Sequence, residues 1–407
     1  HFIRRSRRDC PKVSVILLDW SVRESLHLLH YLSAQDLDRD QFEVIVVEFY
    51  SRVSDAVGKF EQQVDTWVLL QMPEQCYYHK HLMYNAGIFV ARGEICVICD
   101  SDAMVKPGFI RAIIDAFDAS PDIVLHIDQF RNVRRDLYPF AFPSFEDVTG
   151  RGCINRTGDL TSGLADESDP IHNRNFGACM CARRSDLIAI GGADEHIDFL
   201  GHVCGPYEMT FRLVNRGLSE VWHRDEFLYH TWHPGQAGAD NYLGPHDGRQ
   251  VSTTALDALT SGRVLPLLEN PSIRRLREVG DSLLRDEEFV IRADYLSAWR
   301  HESLRVGKRW RQGSVRRDLW HGFVVEPFDN GFRAYPRVFE HPALASRREA
   351  FEVRGESLEL VRDRLRRALP WPVHVALPLA GAVTFFARAL GMGYLFLRRR
   401  IARKLRR

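Results

Sequence analysis

The feature that most constrains this chain is an alternation, through its first third, of short apolar runs with segments of helical spacing. Residues 13–18 (VSVILL), 42–47 (FEVIVV), 67–70 and 95–99 (ICVIC) are brief, nearly continuous apolar runs rich in β-branched residues. Such runs predict strands buried on both faces. Between them, residues 25–32 place Leu28, Leu29 and Leu32 on one helical face, and residues 79–91 do the same with Leu82, Phe89 and Val90. Pro107 suits the first turn of a further helix, whose stripe is Phe109, Ile110, Ile113, Ile114 and Phe117. Another strand is predicted at 123–127. Strands that alternate with helices build a mainly parallel sheet with helices on both faces, an α/β fold.

The pattern then breaks. Residues 128–175 have no clean periodicity, are rich in Asp, Arg, Gly and Pro, and predict a long functional loop or insertion. Regular structure is expected again at 176–182 and in a helix around 209–215. The His- and Gly-rich stretch 229–249 reads as loop. Past residue 263 the character changes. Residues 274–311 are charged and helical in pattern, and 323–336 (FVVEPFDNGFRAYP) predict a hairpin turned at Asp329-Asn330-Gly331. Residues 357–369 read as a charged helix, 371–397 are largely apolar, and 398–407 are mostly Arg or Lys. Three regions follow: a sheet domain at 1–262, a helical and hairpin accessory region at 263–370, and an apolar segment with a basic tail at 371–407.

The formal net charge of +1 excludes a chain whose whole surface is built for nucleic acid. Among the 8 cysteines, Cys96 and Cys99 form a C-x-x-C. Three apart on a strand, they point to opposite faces and cannot close on one metal. Cys179 and Cys181 lie in a similar run. These read as reduced core thiols, which suits a cytoplasmic setting. The start is basic (Arg4, Arg5, Arg7, Arg8), with no apolar stretch and cleavage site after it, so no secretory signal is expected.

Chemistry concentrates where the predicted strand 95–99 ends, in Asp100-Ser101-Asp102. Ligands of an open parallel sheet bind at the carboxyl ends of its strands. Two carboxylates two positions apart on such a turn can face one hard cation, Mn²⁺ or Mg²⁺, bridged to a diphosphate. The plain alternative is a capped turn before the next helix.

The order VSVILL, FEVIVVE, NAGIFVARGEICVICDSDAMVKPGFI, NFGACMCARRSDLIAIGGADE and EMTFRLVNRG resembles family 2 glycosyltransferases of the GT-A fold, over residues 11–250. The resemblance implies an inverting, metal-dependent transfer of a sugar from a nucleotide-diphosphate donor to an acceptor hydroxyl, in polysaccharide or glycolipid assembly. It implies that Glu48 contacts the nucleoside, that Asn85 and Gly87 lie on a helix near the nucleotide, and that Asp100 contacts the donor ribose or the metal. Asp102 becomes the main metal ligand. Gly191-Gly192-Ala193-Asp194-Glu195 matches a segment under the acceptor site, where Asp194 either touches substrate or caps a helix.

In that family a Glu-Asp pair precedes the helix EMTFRLVNRG; here the pair reads Gly205-Pro206. The nearest acid, Glu208, is the expected base, with Asp194, Glu195 and Asp198 in reserve. Glu208 and Arg212 are also four apart and can form a helix-surface ion pair. Related enzymes take a further metal ligand, commonly His, from the loop after the base. His223, His230, His233 and His246 cluster there, and His230 or His233 is the expected ligand; imidazole suits Mn²⁺ better than Mg²⁺. Trp232 either stacks on a sugar face or fills core.

Other classes are set apart by missing features. A zinc hydrolase lacks H-E-x-x-H here. A sugar-nucleotide nucleotidyltransferase needs a Gly-rich loop after the first strand, where this chain has Asp19-Trp20-Ser21-Val22-Arg23. A non-catalytic nucleotide-sugar-binding protein stays open through Gly205-Pro206. Residues 371–397 are long enough to span a bilayer, but Pro372, Pro378 and Arg388 interrupt them. A peripheral contact at the cytoplasmic membrane face through the basic tail is favoured, against a helix docked on the protein.

Overall fold

The computed structural model describes residues 1–6, 10–20, 26–51, 53–73, 78–201, 205–233, 244–249, 251–280, 288–291, 323–328, 331–336 and 353–355. Chain contacts divide it into two units, His1–His301 and Glu302–Arg407. The described residues of 263–301, namely 263–280 and 288–291, thus group with the sheet unit. The reason is local: the helix Pro271–Val279 sinks Ile273 and Leu276 into the same core as the sheet.

The strands of the first unit are β1 (Phe2–Arg4), β2 (Val13–Asp19), β3 (Phe42–Tyr50), β4 (Thr66–Met72), β5 (Ile95–Cys99), β6 (Ile123–His126), β7 (Gln129–Asn132), β8 (Arg156–Thr157), β9 (Leu160–Thr161), β10 (Cys179–Arg183), β11 (Ser219–Trp222) and β12 (Leu228–Thr231). Eight of them form one sheet in the order β1-β4-β3-β2-β5-β10-β6-β11. The pairs β2–β3, β3–β4, β2–β5 and β6–β11 are parallel, as the alternation predicts. β10 departs from it, running antiparallel between β5 and β6. It enters from the irregular stretch rather than from a crossover helix, so its direction was free.

Both sheet faces are buried. Along β2, Ile16 and Leu18 face one core while Val13, Val15 and Leu17 face the other. Cys96 and Cys99 likewise fall on opposite faces. The first face is covered by the helices Lys80–Val90, Arg184–Ala189, Tyr207–Asn215 and Pro271–Val279 through Leu82, Leu187, Met209 and Ile273. The second is covered by Leu28–Leu32 and Phe109–Ala119. Gly87 sets the approach of its helix: a Cβ there would sit 2.4 Å from Ile16 Cγ2.

Residues 128–175 are not one loop. They hold β7, the β8–β9 hairpin and short helices at Phe145–Thr149, Ser162–Ala165 and Pro170–Asn173. Elements this short carry too few residues to show a period. They close a third core with Phe176, Phe199, Phe211, Trp222 and Tyr229. The stretch 229–249 is also not wholly loop, since β12 pairs in parallel with β7.

In the second unit, β13 (Phe323–Phe328), β14 (Gly331–Pro336) and β15 (Val353–Gly355) form an antiparallel sheet in that order. The expected hairpin is present, with its tip at 329–330 outside the described residues. Residues 357–369, 371–397 and the basic tail also lie outside them. Among the described residues, no helix is long and apolar enough to cross a membrane.

Candidate active site

The carboxyl ends of β2, β3 and β5 lie side by side, which brings Asp19, Glu48 and the Asp100–Asp102 turn to one end of the sheet. The turn is pinned on both flanks. Ser101 Oγ donates to the Leu18 carbonyl at 3.3 Å, and the Leu28 amide donates to the Ser101 carbonyl at 3.2 Å. Met104 then forms an antiparallel bridge with Tyr229, with amide-to-carbonyl distances of 2.9 and 3.0 Å. That bridge lays β12 beside the turn and sets His230, one residue on, against Asp102.

Three side chains converge as a result. His233 Nε2 lies 2.9 Å and His230 Nε2 3.7 Å from Asp102 Oδ2. One donor atom from each residue falls within 4.8 Å of the others. Asp102 and His230 are buried, and His233 is half-buried. Two ligands at right angles on a cation, each about 2.1 Å away, are roughly 3 Å apart, the spacing His233 and Asp102 already have. One carboxylate with two imidazoles is a donor set for a transition ion such as Mn²⁺ more than for Mg²⁺. Among the described residues this is the one group with such a spacing. Asp100 is outside it, half-buried, with its amide donating to the Ala178 carbonyl at 2.9 Å. His223 and His246 are outside it too, and serve turns: the amides of Glu226 and Gly248 donate to their Nδ1 atoms at 3.0 and 3.1 Å.

One neighbour of the group, His27, carries no sequence signal. His27 is buried and stacked on Phe140 with ring centroids 3.6 Å apart. Burial drives its pKa down to about 4, against the pull of the Asp102 charge, so it stays neutral beside the group. Trp232, between the two histidines, meets Tyr138 edge-on at 5.7 Å and carries the Arg135 guanidinium over its ring at 4.8 Å. Beyond β2, Trp20 stacks on Tyr78 at 4.6 Å, with Lys80 Nζ 5.2 Å from the Trp20 ring.

The other predicted residues are bound into the scaffold. Glu48 is buried rather than solvated; it accepts from the Ser54 amide at 2.9 Å and from Trp67 Nε1 at 2.6 Å. Asn85 clamps the Gly191–Glu195 loop. Its Nδ2 donates to the Ala193 carbonyl at 2.9 Å and to Glu195 Oε1 at 3.0 Å, and its Oδ1 accepts from the Ala193 amide at 2.7 Å. Asp194 accepts from the amides of His196, Leu267 and Leu268 at 3.0, 2.7 and 3.0 Å, and burial raises its pKa. Asp198 accepts from Thr254 Oγ1 at 2.9 Å.

Glu208 is wholly buried and paired with Arg212, so the pair lies inside the fold and not on a helix surface. Arg212 Nη2 donates to Glu208 Oε2 at 2.9 Å, and its Nη1 donates to the Ile190 carbonyl at 2.5 Å. Burial by itself would raise the Glu208 pKa; the Arg212 charge and hydrogen bonds outweigh it and hold the carboxyl below the ordinary glutamate value. A proton acceptor needs reach to its substrate and a pKa near the working pH. Glu208 has neither.

No family model matches the chain, and no curated protein matches it. Among solved structures, it is similar to S. aureus TarS 1-349 at a TM-score of 0.41 and 15% identity, over 65% of this chain and 69% of that one. The same protein in complex with UDP-GlcNAc gives 0.41 and 16%, over 71% and 78%. The mannosyltransferase PcManGT from Pyrobaculum calidifontis, in complex with GDP-Man and Mn2+, gives 0.39 and 18%, over 60% and 63%. Likeness this distant carries no argument, and the chemistry of the site rests on the chain's own geometry.

Proposed function

We propose that this chain is a metal-dependent glycosyltransferase that moves a sugar from a nucleotide-diphosphate donor to an acceptor hydroxyl. The observation that carries the reading is the convergence of Asp102, His230 and His233 at the carboxyl end of a largely parallel sheet. A divalent ion held there supplies charge neutralisation to a diphosphate leaving group. The residues do the positioning. The Ser101 contacts hold the Asp102 turn, and the bridge from Met104 to Tyr229 sets His230 beside it. Asp100, half-buried on the same turn, faces the donor ribose in this reading.

The donor nucleoside lies along the ends of β2 and β3, where Trp20, Tyr78 and Lys80 form one wall. Glu48 shapes its floor through Trp67 and Ser54. Asp194 and Glu208 hold the Gly191–Glu195 loop under the acceptor and act by positioning, so the acceptor proton goes to a group other than Glu208. The transfer is inverting, a single in-line displacement, and the acceptor is a glycan or lipid-linked glycan. The C-terminal basic tail makes a peripheral contact with the cytoplasmic membrane face.

A thermal-shift screen of UDP-, GDP-, CDP- and dTDP-sugars, each with and without Mn²⁺, tests the reading. One nucleotide class should stabilise the protein, in a Mn²⁺-dependent way, and be hydrolysed slowly without acceptor. Binding with neither hydrolysis nor transfer would favour a non-catalytic sugar-nucleotide binder. No stabilisation by any donor would remove the reading.

A further inference from the structure

Two adjacent arginines on the insertion have different fates. Arg134 is neutralised by Asp136, with its Nη2 2.5 Å and its Nε 3.0 Å from the two carboxylate oxygens. Arg135 is exposed and meets no carboxylate among the described residues; its side-chain contact is the face of Trp232, at 4.8 Å. Tyr138 braces the same indole edge-on. Trp232 stands in sequence between His230 and His233, which ties the guanidinium to the segment that carries both histidines. A guanidinium stacked on an aromatic ring keeps its donor edge free and loses little entropy when it binds a planar or tetrahedral anion.

We propose that Arg135, set by Trp232 and Tyr138, binds an anionic group on the acceptor, a phosphate or a carboxylate, and so selects charged over neutral acceptor glycans. The inference rests on the glycosyltransferase reading and names its acceptor class. Arg135 begins the turn Arg135–Leu137 that follows β7, an element apart from those that carry the donor nucleoside, and the anion is accordingly placed on the acceptor. The donor wall of Trp20, Tyr78 and Lys80 is built on β2 and the helix Lys80–Val90.

The test is calorimetric titration of the full chain, loaded with Mn²⁺ and the nucleoside diphosphate chosen by the donor screen. The probes are methyl α-glucoside, its 6-phosphate and methyl glucuronide. A charge-assisted contact should make the better anionic probe bind at least about tenfold more tightly than the neutral one. Whichever anion binds better identifies the group. Arg135→Gln should bring all three probes to within roughly twofold, Arg135→Lys should keep part of the preference, and Arg134→Gln should keep all of it. Absence of an anionic preference, or its survival in Arg135→Gln, overturns the proposal. A loss of nucleotide affinity in Arg135→Gln with the probe preference intact overturns it too, by moving the contact to the donor. Failure of every donor to bind with Mn²⁺ instead strikes the glycosyltransferase reading, and is seen before any probe is added.

Discussion

Glu208 and Arg212 form an ion pair one helical turn apart with neither side chain exposed to solvent, and the arginine also ties down the carbonyls of Ile190, Gly192 and Val264. The pair therefore staples the helix Tyr207–Asn215 to the loop ahead of Asp194. Glu208→Gln leaves a buried guanidinium without its counter-charge. Breaking one side of such a pair costs about 3–5 kcal/mol, a fall in unfolding midpoint on the order of 10 °C. The pH dependence has a definite sign. The folded pKa of Glu208 is lowered, so its contribution is whole above the unfolded value, about 4.3. It is lost as pH falls through the folded value. Calorimetry of the variant and wild type between pH 7 and 3 checks both points; equal midpoints throughout would mean that the pair holds nothing.

Asn85 makes a second staple, and here a loop role is separable from a ligand role. Asn85→Ala leaves the Ala193 amide and carbonyl unmet in the core, at a cost of about 3 kcal/mol. Gly192 should be as intolerant. Its φ is +69°, and a Cβ there would come within 2.3 Å of Asn85 Oδ1. Gly192→Ala is expected to cost about 1–3 kcal/mol. Urea unfolding of both variants gives the answer. Unchanged stability together with weakened donor binding would return Asn85 to the nucleotide.

Buried histidines make the fold acid-sensitive above the carboxylate range. Burial pushes His79 and His126 down to about 3 each. Above about pH 6.5 both are neutral in either state. Below it the unfolded chain takes protons that the folded one refuses, so each histidine removes up to roughly 1.4 kcal/mol per pH unit until its folded pKa is reached. His126→Gln should therefore flatten the loss of stability between pH 6.5 and 4 by about one proton. A slope equal to that of the wild type would show that His126 titrates normally in the folded protein.

The strands and helices of the first third were legible because each is long enough to show its period, and because both sheet faces are buried. The Asp102 turn was legible for the same reason, since it follows a strand of five apolar residues. In the irregular half, His230 and His233 were legible as candidate ligands through the resemblance, but the contact that places them was not. β7 and β12 have four residues each, and what makes them matter is the Met104–Tyr229 bridge, a contact between positions far apart in sequence. His27 and Arg135 reach the site by chain routing alone, with no local pattern to mark them. For Glu208 and Arg212, the spacing gave the pairing but not its burial. Whether an i,i+4 pair faces water or core depends on what packs over the helix, here the Gly191–Glu195 loop and the chain at Val264.

Asp102, His230 and His233 are expected to act as one cation site. Mn²⁺ binding followed by electron paramagnetic resonance, with UDP or whichever nucleoside diphosphate the donor screen selects, measures this directly. Asp102→Ala should weaken Mn²⁺ by about 100-fold or more, and His230→Ala and His233→Ala by at least about tenfold each, in variants that keep the wild-type fold by circular dichroism. Mn²⁺ affinity unchanged in Asp102→Ala would contradict the assignment of the site.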